Sequence, residues 1–181
     1  MKVESTPPSI LSEQAQQAYQ ENRLDDAIMA FQAAHEAYLE DNNAVLAAEM
    51  ANNLCVVLLK TKRPEEALKV VQGTAEIFLE NGDEKAAGMA FGNLASALEA
   101  CGNLEAAEDA LRQAAERFQA LGEDDLLLYT QRSLSQLQLR QGRTLEALSS
   151  MQSGLEGQKK LSLKNRILQK LFRIPSRLLN R

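Results

Sequence analysis

An internal repeat is the feature of this sequence that most constrains its fold. Four segments resemble one another, and each places an alanine at the same point: Ala27, Ala67, Ala107 and Ala147. A bulky apolar residue follows each alanine four positions later: Phe31, Val71, Leu111 and Met151. Self-similarity at a fixed period of about 40 residues is typical of proteins that stack one supersecondary unit several times.

Each repeat contains two helical patterns separated by short polar turns. In the third copy, apolar residues from Phe91 to Leu98 recur at spacings of three and four, which is the pattern of one helical face. Gly102 predicts the end of this helix, because glycine readily adopts the left-handed conformation found at helix C-termini. A second helix is predicted from about Leu104, and Pro64 suits the first turn of its counterpart in the second copy. With turns this short, the paired helices pack antiparallel.

Small residues predict where the paired helices cross. The four register alanines lie on the second helices, and the first helices carry small residues at a matching position: Ala15, Cys55, Ala95 and Ser135. Larger side chains at these places would push the helix axes apart. The strong helix formers Ala, Leu, Glu and Gln dominate the composition, and no run of alternating β-branched residues argues for a strand. The sequence therefore predicts an all-α protein.

The composition also bears on location. The start, MKVESTPPSI, lacks the basic and apolar regions of a secretory signal, and the apolar run Leu54 to Leu59 is too short to span a bilayer. The cysteines Cys55 and Cys101 suggest no disulfide framework. We therefore expect a cytoplasmic protein, or one peripheral at the inner face of a membrane.

Candidate catalytic or metal-binding residues are few. His35 is the single histidine and is expected to be packed or solvent-facing, and no His or Cys spacing typical of a metal site is present. The acidic run from Glu123 to Asp125 is expected to begin a helix, where the macrodipole favours carboxylates. No phosphate-binding glycine loop or nucleophile elbow occurs. We expect no enzymatic activity, no metal and no cofactor.

These repeats resemble the tetratricopeptide repeat (TPR), a helix-turn-helix unit that ends with an alanine followed four residues later by a bulky residue. Residues 9–158 carry the resemblance, after a lead of residues 1–8. The period here is longer than the about 34 residues of that family, and the Trp and the closing Pro of the signature are absent. Without that proline at its end, the second helix of each repeat can be longer. The resemblance implies a right-handed superhelical solenoid of four antiparallel helix pairs.

The longer repeats are similar to those of kinesin light chains and related bacterial and animal scaffold proteins, whose first helices carry the run Asn-Asn-Leu-Ala. The corresponding runs here are Asn52-Asn53-Leu54-Cys55, Gly92-Asn93-Leu94-Ala95 and Arg132-Ser133-Leu134-Ser135. The resemblance implies a non-catalytic scaffold or adaptor. It also implies that the first helices line a concave groove that holds a partner peptide or helix.

The face of each first helix opposite its buried leucine predicts the residues of this groove. They are Asn52, Asn53, Val56 and Lys60, then Met89, Asn93 and Ser96, then Tyr129, Arg132, Gln136 and Arg140. Asn53 and Asn93 are the best candidates by resemblance, because an amide both donates to and accepts from an extended backbone. The competing interpretation is that these asparagines only cap a helix or bridge to the next repeat.

The C-terminal segment differs in charge from the rest of the chain. Residues 159–181 hold eight basic residues and no acidic one, whereas the remaining 12 Lys and Arg stand against 25 Asp and Glu, a charge of −13. Apolar residues at helical spacing from Leu163 predict an amphipathic basic helix, which Pro175 ends at Ile174. The candidate contact residues of this tail are Lys164, Arg166, Lys170, Phe172, Arg173 and Arg177.

Three interpretations of the tail remain open. The helix could cover the apolar face of the fourth repeat, lie on an anionic membrane surface as the anchor of a peripheral adaptor, or dock into a partner protein. Nucleic acid is not expected as a partner, because the acidic body repels phosphates and only Phe172 could stack on a base. The sequence leaves the oligomeric state undetermined.

Overall fold

Helices joined by short turns make up the computed structural model, which describes residues 6–156. The helices of this part of the chain are α1 (Pro8–Gln20), α2 (Leu24–Glu40), α3 (Ala44–Lys60), α4 (Pro64–Val71), α5 (Thr74–Glu80), α6 (Glu84–Ala100), α7 (Leu104–Leu121), α8 (Asp124–Arg140) and α9 (Thr144–Glu156). No strand occurs within these residues, which confirms the all-α prediction. The predicted basic tail lies outside the described residues.

The helix ends recur at half the length of the repeat. Within residues 6–156, the turns that follow the helices at this spacing each contain one residue with φ between 57° and 83°. These residues are Asn22, Asn42, Lys62, Gly82, Gly102, Gly122 and Gly142. The amide of the next residue then donates to a carbonyl oxygen in the last turn of the helix, as from Asn103 N to Leu98 O at 2.9 Å. This is the Schellman arrangement, which satisfies carbonyl groups at a helix end. The predicted stops at Gly102 and Gly142 are confirmed.

The second helix of the second repeat is interrupted. The sequence predicts one helix from Pro64, but α4 ends at Val71 and α5 begins at Thr74. Gln72 is extended, with ψ 129°, and Gly73 has φ 83°, so two consecutive residues leave the helical conformation. The Thr74 hydroxyl donates to the Val71 carbonyl oxygen at 2.8 Å and closes the break.

The chain divides into two compact units, Met1–Ala107 and Glu108–Arg181, with the division inside α7. In unit 1, each helix packs against near neighbours: α1 on α2, α2 on α3, α3 on α4 and α5, and α6 on α3, α4 and α5. The small residues predicted at the helix crossings are fully buried: Ala15, Ala27, Cys55 and Ala67. Their burial confirms that the repeat register identifies the packed positions.

In unit 2, α8 and α9 form an antiparallel pair in close contact. The Ser135 hydroxyl donates to the Ala147 carbonyl oxygen at 2.7 Å, so the two small residues predicted at this crossing touch. Gly154 also lies against α8, since a Cβ there would be 2.8 Å from the Gln131 Cβ. No helix within residues 6–156 combines the length and the hydropathy needed to cross a bilayer.

Candidate interaction surface

The outward face of α3 and α6 carries six of the residues predicted from the sequence, which we call the unit 1 surface. It consists of Asn53, Val56, Lys60, Met89, Asn93 and Ser96. Met89 is 53% exposed and Val56 is 37% exposed, so two large apolar side chains lie on this face. Lys60 and Ser96 are exposed, and Asn53 and Asn93 are half-buried. The face is therefore mixed, with apolar side chains among amides and a cation.

Asn52 does not belong to this surface, which corrects the prediction that placed it in the groove. It is 9% exposed, and its amide donates to the Ala48 carbonyl oxygen, one helical turn earlier, at 2.9 Å. Its Oδ1 accepts a hydrogen bond of 3.0 Å from Nδ2 of Asn93. Asn52 and Asn93 therefore bridge α3 to α6. Asn53 forms no such side-chain bridge within residues 6–156.

Lys60 lies at the end of the unit 1 surface nearest the turn between α1 and α2. Its ammonium donates to Asn22 Oδ1 at 3.0 Å and lies 5.0 Å from the centroid of the Tyr19 ring. A cation over an aromatic face is held electrostatically by the ring. These contacts fix the position of the positive charge while the side chain stays exposed.

The remaining predicted groove residues lie on α8 in unit 2. Tyr129 is 73% exposed, Gln136 and Arg140 are exposed, and Arg132 is half-buried. These four residues share one face of α8 at spacings of three and four. The predicted tail contacts Lys164, Arg166, Lys170, Phe172, Arg173 and Arg177 lie outside the described residues.

Sequence reasoning missed a buried polar network in unit 2. Glu108 is 6% exposed and accepts hydrogen bonds from Arg112 at 2.5 Å, from Gln138 at 3.1 Å and from Arg143. Gln138 in turn accepts from the Ser150 hydroxyl at 2.9 Å. Comparison of the repeats could have indicated that Glu108 is buried, because its equivalents in the other copies are apolar: Ile28, Leu68 and Leu148.

The thiols and the histidine have structural environments. Burial raises the pKa of the Cys55 thiol to about 12, and its Sγ lies 3.9 Å from the Asn93 carbonyl oxygen. Burial, with a smaller contribution from the Glu65 charge, also raises the pKa of Cys101. Both thiols are therefore protonated at neutral pH, the form that is a poor nucleophile. The His35 Nδ1–H donates to the Ala47 carbonyl oxygen at 2.8 Å.

Within residues 6–156, no group of three His, Cys, Asp or Glu side chains is placed so that it could hold a metal ion. The hydrogen bond from His35 to Ala47 joins α2 to α3, which agrees with the expectation of a packed histidine.

Replacement of Asn93 by alanine should destabilise the protein, because it leaves the buried Asn52 Oδ1 without its donor. An unsatisfied buried acceptor costs about 1–2 kcal/mol, which corresponds to a fall in Tm of about 2–6 °C for a chain of this size. Asn53→Ala is the matched control and should change the free energy of unfolding by less than about 0.5 kcal/mol. Thermal melts followed by circular dichroism measure both changes, and equal losses would contradict the bridge.

Comparison with known proteins agrees with this geometry. Residues 86–160 match the family model of the tetratricopeptide repeat. The apo form of RapI has the same fold, with a TM-score of 0.77 at 18% identity over 86% of this chain and 58% of RapI. BtubC (BKLC) from P. vanneervenii gives a TM-score of 0.76 at 17% identity, covering 90% of this chain and 73% of its own length.

A putative kinesin light chain from Podosopora anserina, with nearly identical TPR-like repeats, gives a TM-score of 0.75 at 17% identity. The match covers 91% of this chain and 84% of that one. Among curated proteins, none matches this chain significantly in sequence. This chain spans less than two thirds of the length of RapI. The predicted resemblance is thus confirmed: the chain has the fold of tetratricopeptide-repeat proteins, and residues 86–160 match that repeat by sequence.

Proposed function

We propose that this chain is a non-catalytic protein-interaction module whose unit 1 surface binds an extended peptide or a helix of a partner protein. The observation that carries the proposal is the exposure of Met89 and Val56 at 53% and 37% on the solvent face of adjacent helices. When a partner covers apolar side chains on a folded surface, the free energy falls by about 25 cal/mol per Å² of apolar area buried. The tetratricopeptide-repeat fold supports the proposal, because stacked helix pairs present extended binding surfaces.

The polar residues of this surface suit the backbone of a bound peptide. The Asn53 amide has both a donor and an acceptor, which match the alternating N–H and C=O groups of an extended chain. Asn93 already uses one Nδ2 hydrogen for Asn52, but its Oδ1 and second hydrogen remain for a partner. Ser96 donates to the Gly92 carbonyl oxygen at 2.9 Å and keeps its lone pairs for a partner N–H.

The apolar residues would determine which side chains of the partner are preferred. Methionine is flexible and polarisable, and it adapts its shape to different apolar side chains. Met89 therefore suits contact with a bulky partner residue, and Val56 provides a smaller and more rigid contact. Lys60 adds a fixed positive charge at one end, where an acidic partner residue would be favoured.

Photo-crosslinking in the cell tests the proposal. The photoreactive residue benzoylphenylalanine replaces Met89 or Val56, and in a control chain it replaces Met29, which is 64% exposed on the second helix α2. We expect covalent adducts to the same protein from positions 89 and 56 and none from position 29. The adduct should decline at least tenfold at position 89 when Val56→Glu is added. Adducts from position 29 alone, or equal adducts from all three positions, would contradict the proposal.

The alternative proposal is a peripheral membrane adaptor that uses the basic tail as its membrane anchor. The observation behind it is the charge of residues 159–181, with eight basic residues and no acidic one. Each Lys or Arg near an anionic surface contributes about 1 kcal/mol to membrane binding. This alternative makes no use of the unit 1 surface, and flotation of the full chain on anionic vesicles tests it separately.

A further inference from the structure

A cleft in unit 1, which we call the α2–α4 cleft, plays no part in the function proposed above. It is lined by side chains of α2, α3 and α4 and has a volume of about 240 Å³. Its apolar lining consists of Ile28, Leu54, Leu58 and Val70. Pockets for drug-sized ligands are larger, at about 300–1,000 Å³, so this cleft suits a ligand about the size of one ring.

His35 supplies a hydrogen-bond acceptor to the α2–α4 cleft, which it lines. Its Nδ1 lies 2.8 Å from the Ala47 carbonyl oxygen, and Nδ1 carries the proton because a carbonyl oxygen only accepts. In the neutral ring Nε2 is therefore unprotonated and accepts a hydrogen bond. No partner of Nε2 occurs within residues 6–156. A ligand with an O–H or N–H group would satisfy this nitrogen.

Comparison of the repeats shows that the acceptor belongs to this cleft alone among the four repeats. The register equivalents of His35 are Ala75, Ala115 and Leu155, whose side chains cannot accept a hydrogen bond. A cleft of about 260 Å³ recurs in unit 2, where Ala115 takes the place of His35. The stacked repeat therefore produces the cleft, and the first repeat adds a ring nitrogen to it.

The charges of the α2–α4 cleft favour a neutral ligand. Arg63 and Lys69 bring positive charge to its lining, and Glu36 and Glu66 bring an equal negative charge. Arg63 also pairs with Glu66 at 2.6 Å. An anionic ligand would be repelled by two carboxylates, whereas the face of an aromatic ring is attracted to nearby cations.

We propose that the α2–α4 cleft binds a neutral phenol, whose ring lies against Leu54 and Leu58 and whose hydroxyl donates to His35 Nε2. A phenol is a stronger donor than an aliphatic alcohol because its proton is more acidic. A free phenolic molecule and the tyrosine side chain of a partner share this chemistry. The proposal does not depend on the function proposed for the unit 1 surface, whose residues do not line the cleft.

NMR of the histidine side chain in the full chain tests the proposal. The sequence has a single histidine, so the Nε2 resonance of protein labelled with ¹⁵N-histidine is assigned directly. The probe is p-cresol, and toluene is the matched control without a hydroxyl. We expect p-cresol to bind about tenfold more tightly than toluene and to shift the Nε2 resonance. Equal affinities, or binding of p-cresol without this shift, would overturn the proposal.

Two further probes test the charge and the source of the ligand. The anion p-toluate has a carboxylate in place of the hydroxyl and should bind at least tenfold more weakly than p-cresol. Tighter binding of p-toluate would overturn the neutral site and assign an anion site instead. N-acetyltyrosinamide separates the two sources: affinity at least equal to that of p-cresol assigns the cleft to a partner tyrosine, and weaker affinity assigns it to a free phenol.

His35→Ala removes the acceptor and introduces the residue that the repeat accommodates at positions 75 and 115. We expect the affinity for p-cresol to fall about tenfold, to that of toluene, while toluene binding stays the same. Gln32→Ala, at another residue of α2 that lines the cleft, is the control and should change the affinity for p-cresol less than twofold. Circular dichroism verifies the fold of both variants. Unchanged p-cresol binding in folded His35→Ala would contradict the proposal.

Discussion

Replacement of Glu108 by alanine should lower the free energy of unfolding by about 2–4 kcal/mol. Glu108 is 6% exposed, and its carboxylate accepts hydrogen bonds from two arginines and from buried Gln138, so its loss leaves Gln138 Nε2 without a partner. Arg112 and Arg143 keep side-chain exposures of 50% and 34%, which limits the cost below that of a fully buried ion pair. Urea unfolding followed by circular dichroism measures the change.

Glu146→Ala is the matched control for this prediction. Its carboxylate also pairs with Arg143, at 2.9 Å, but its side chain is 50% exposed, so its removal should cost less than about 1 kcal/mol. A second variant separates the network from simple packing. Glu108→Leu, Gln138→Leu and Ser150→Ala together introduce the apolar character of the other repeats, and stability should return to at least the original value. A small loss for Glu108→Ala would contradict the network.

Gly154→Ala should destabilise the protein by about 1–3 kcal/mol, against the usual effect of this substitution in a helix. The new Cβ would be 2.8 Å from Gln131 Cβ and 3.2 Å from Leu128 Cδ1, so α8 and α9 would have to separate. Gly92→Ala is the control in the middle of α6, because no atom lies within 4 Å of the added Cβ. It should stabilise the protein by about 0.5–1 kcal/mol through helix propensity.

The two glycine variants are compared by thermal and urea unfolding under the same conditions. Opposite signs of the change would support close contact between α8 and α9 at Gly154. A gain of stability in both variants would instead mean that α9 is loosely packed on α8. Because the substitution is identical, the difference between the two variants isolates the packing of the added methyl group from its effect on helix propensity.

Much of the fold is predictable from the sequence, since its signals repeat. The register alanines identified the helix crossings, and Gly102 and Gly142 identified helix ends, because each physical requirement recurs in every repeat. The interruption at Gln72 and Gly73 was not predicted. A single glycine within a helical pattern is compatible with an unbroken helix, so the sequence pattern alone does not predict the break.

The candidate surface was predictable as a helical face but not residue by residue. The spacing placed Asn52 and Asn53 together, and the structure separates them: Asn52 is buried in a bridge to Asn93, while Asn53 stays at the surface. Which of two adjacent amides turns inward depends on the exact rotation of α3, which a spacing pattern does not resolve. Glu108 was missed because a charged residue on a helix is normally solvated, and only comparison with its register equivalents sets it apart.

The packing of each helix on near neighbours in sequence also has a consequence for the kinetics of folding. In unit 1 the contacts join helices that are close along the chain, such as α1 with α2 and α2 with α3. Chains with such low contact order fold quickly, because little loop entropy is lost before contacts form. The first helix pair, α1 and α2, can form all of the contacts between its two helices once the chain up to Glu40 is available. Folding can therefore begin on the ribosome and proceed one helix at a time as each new segment emerges.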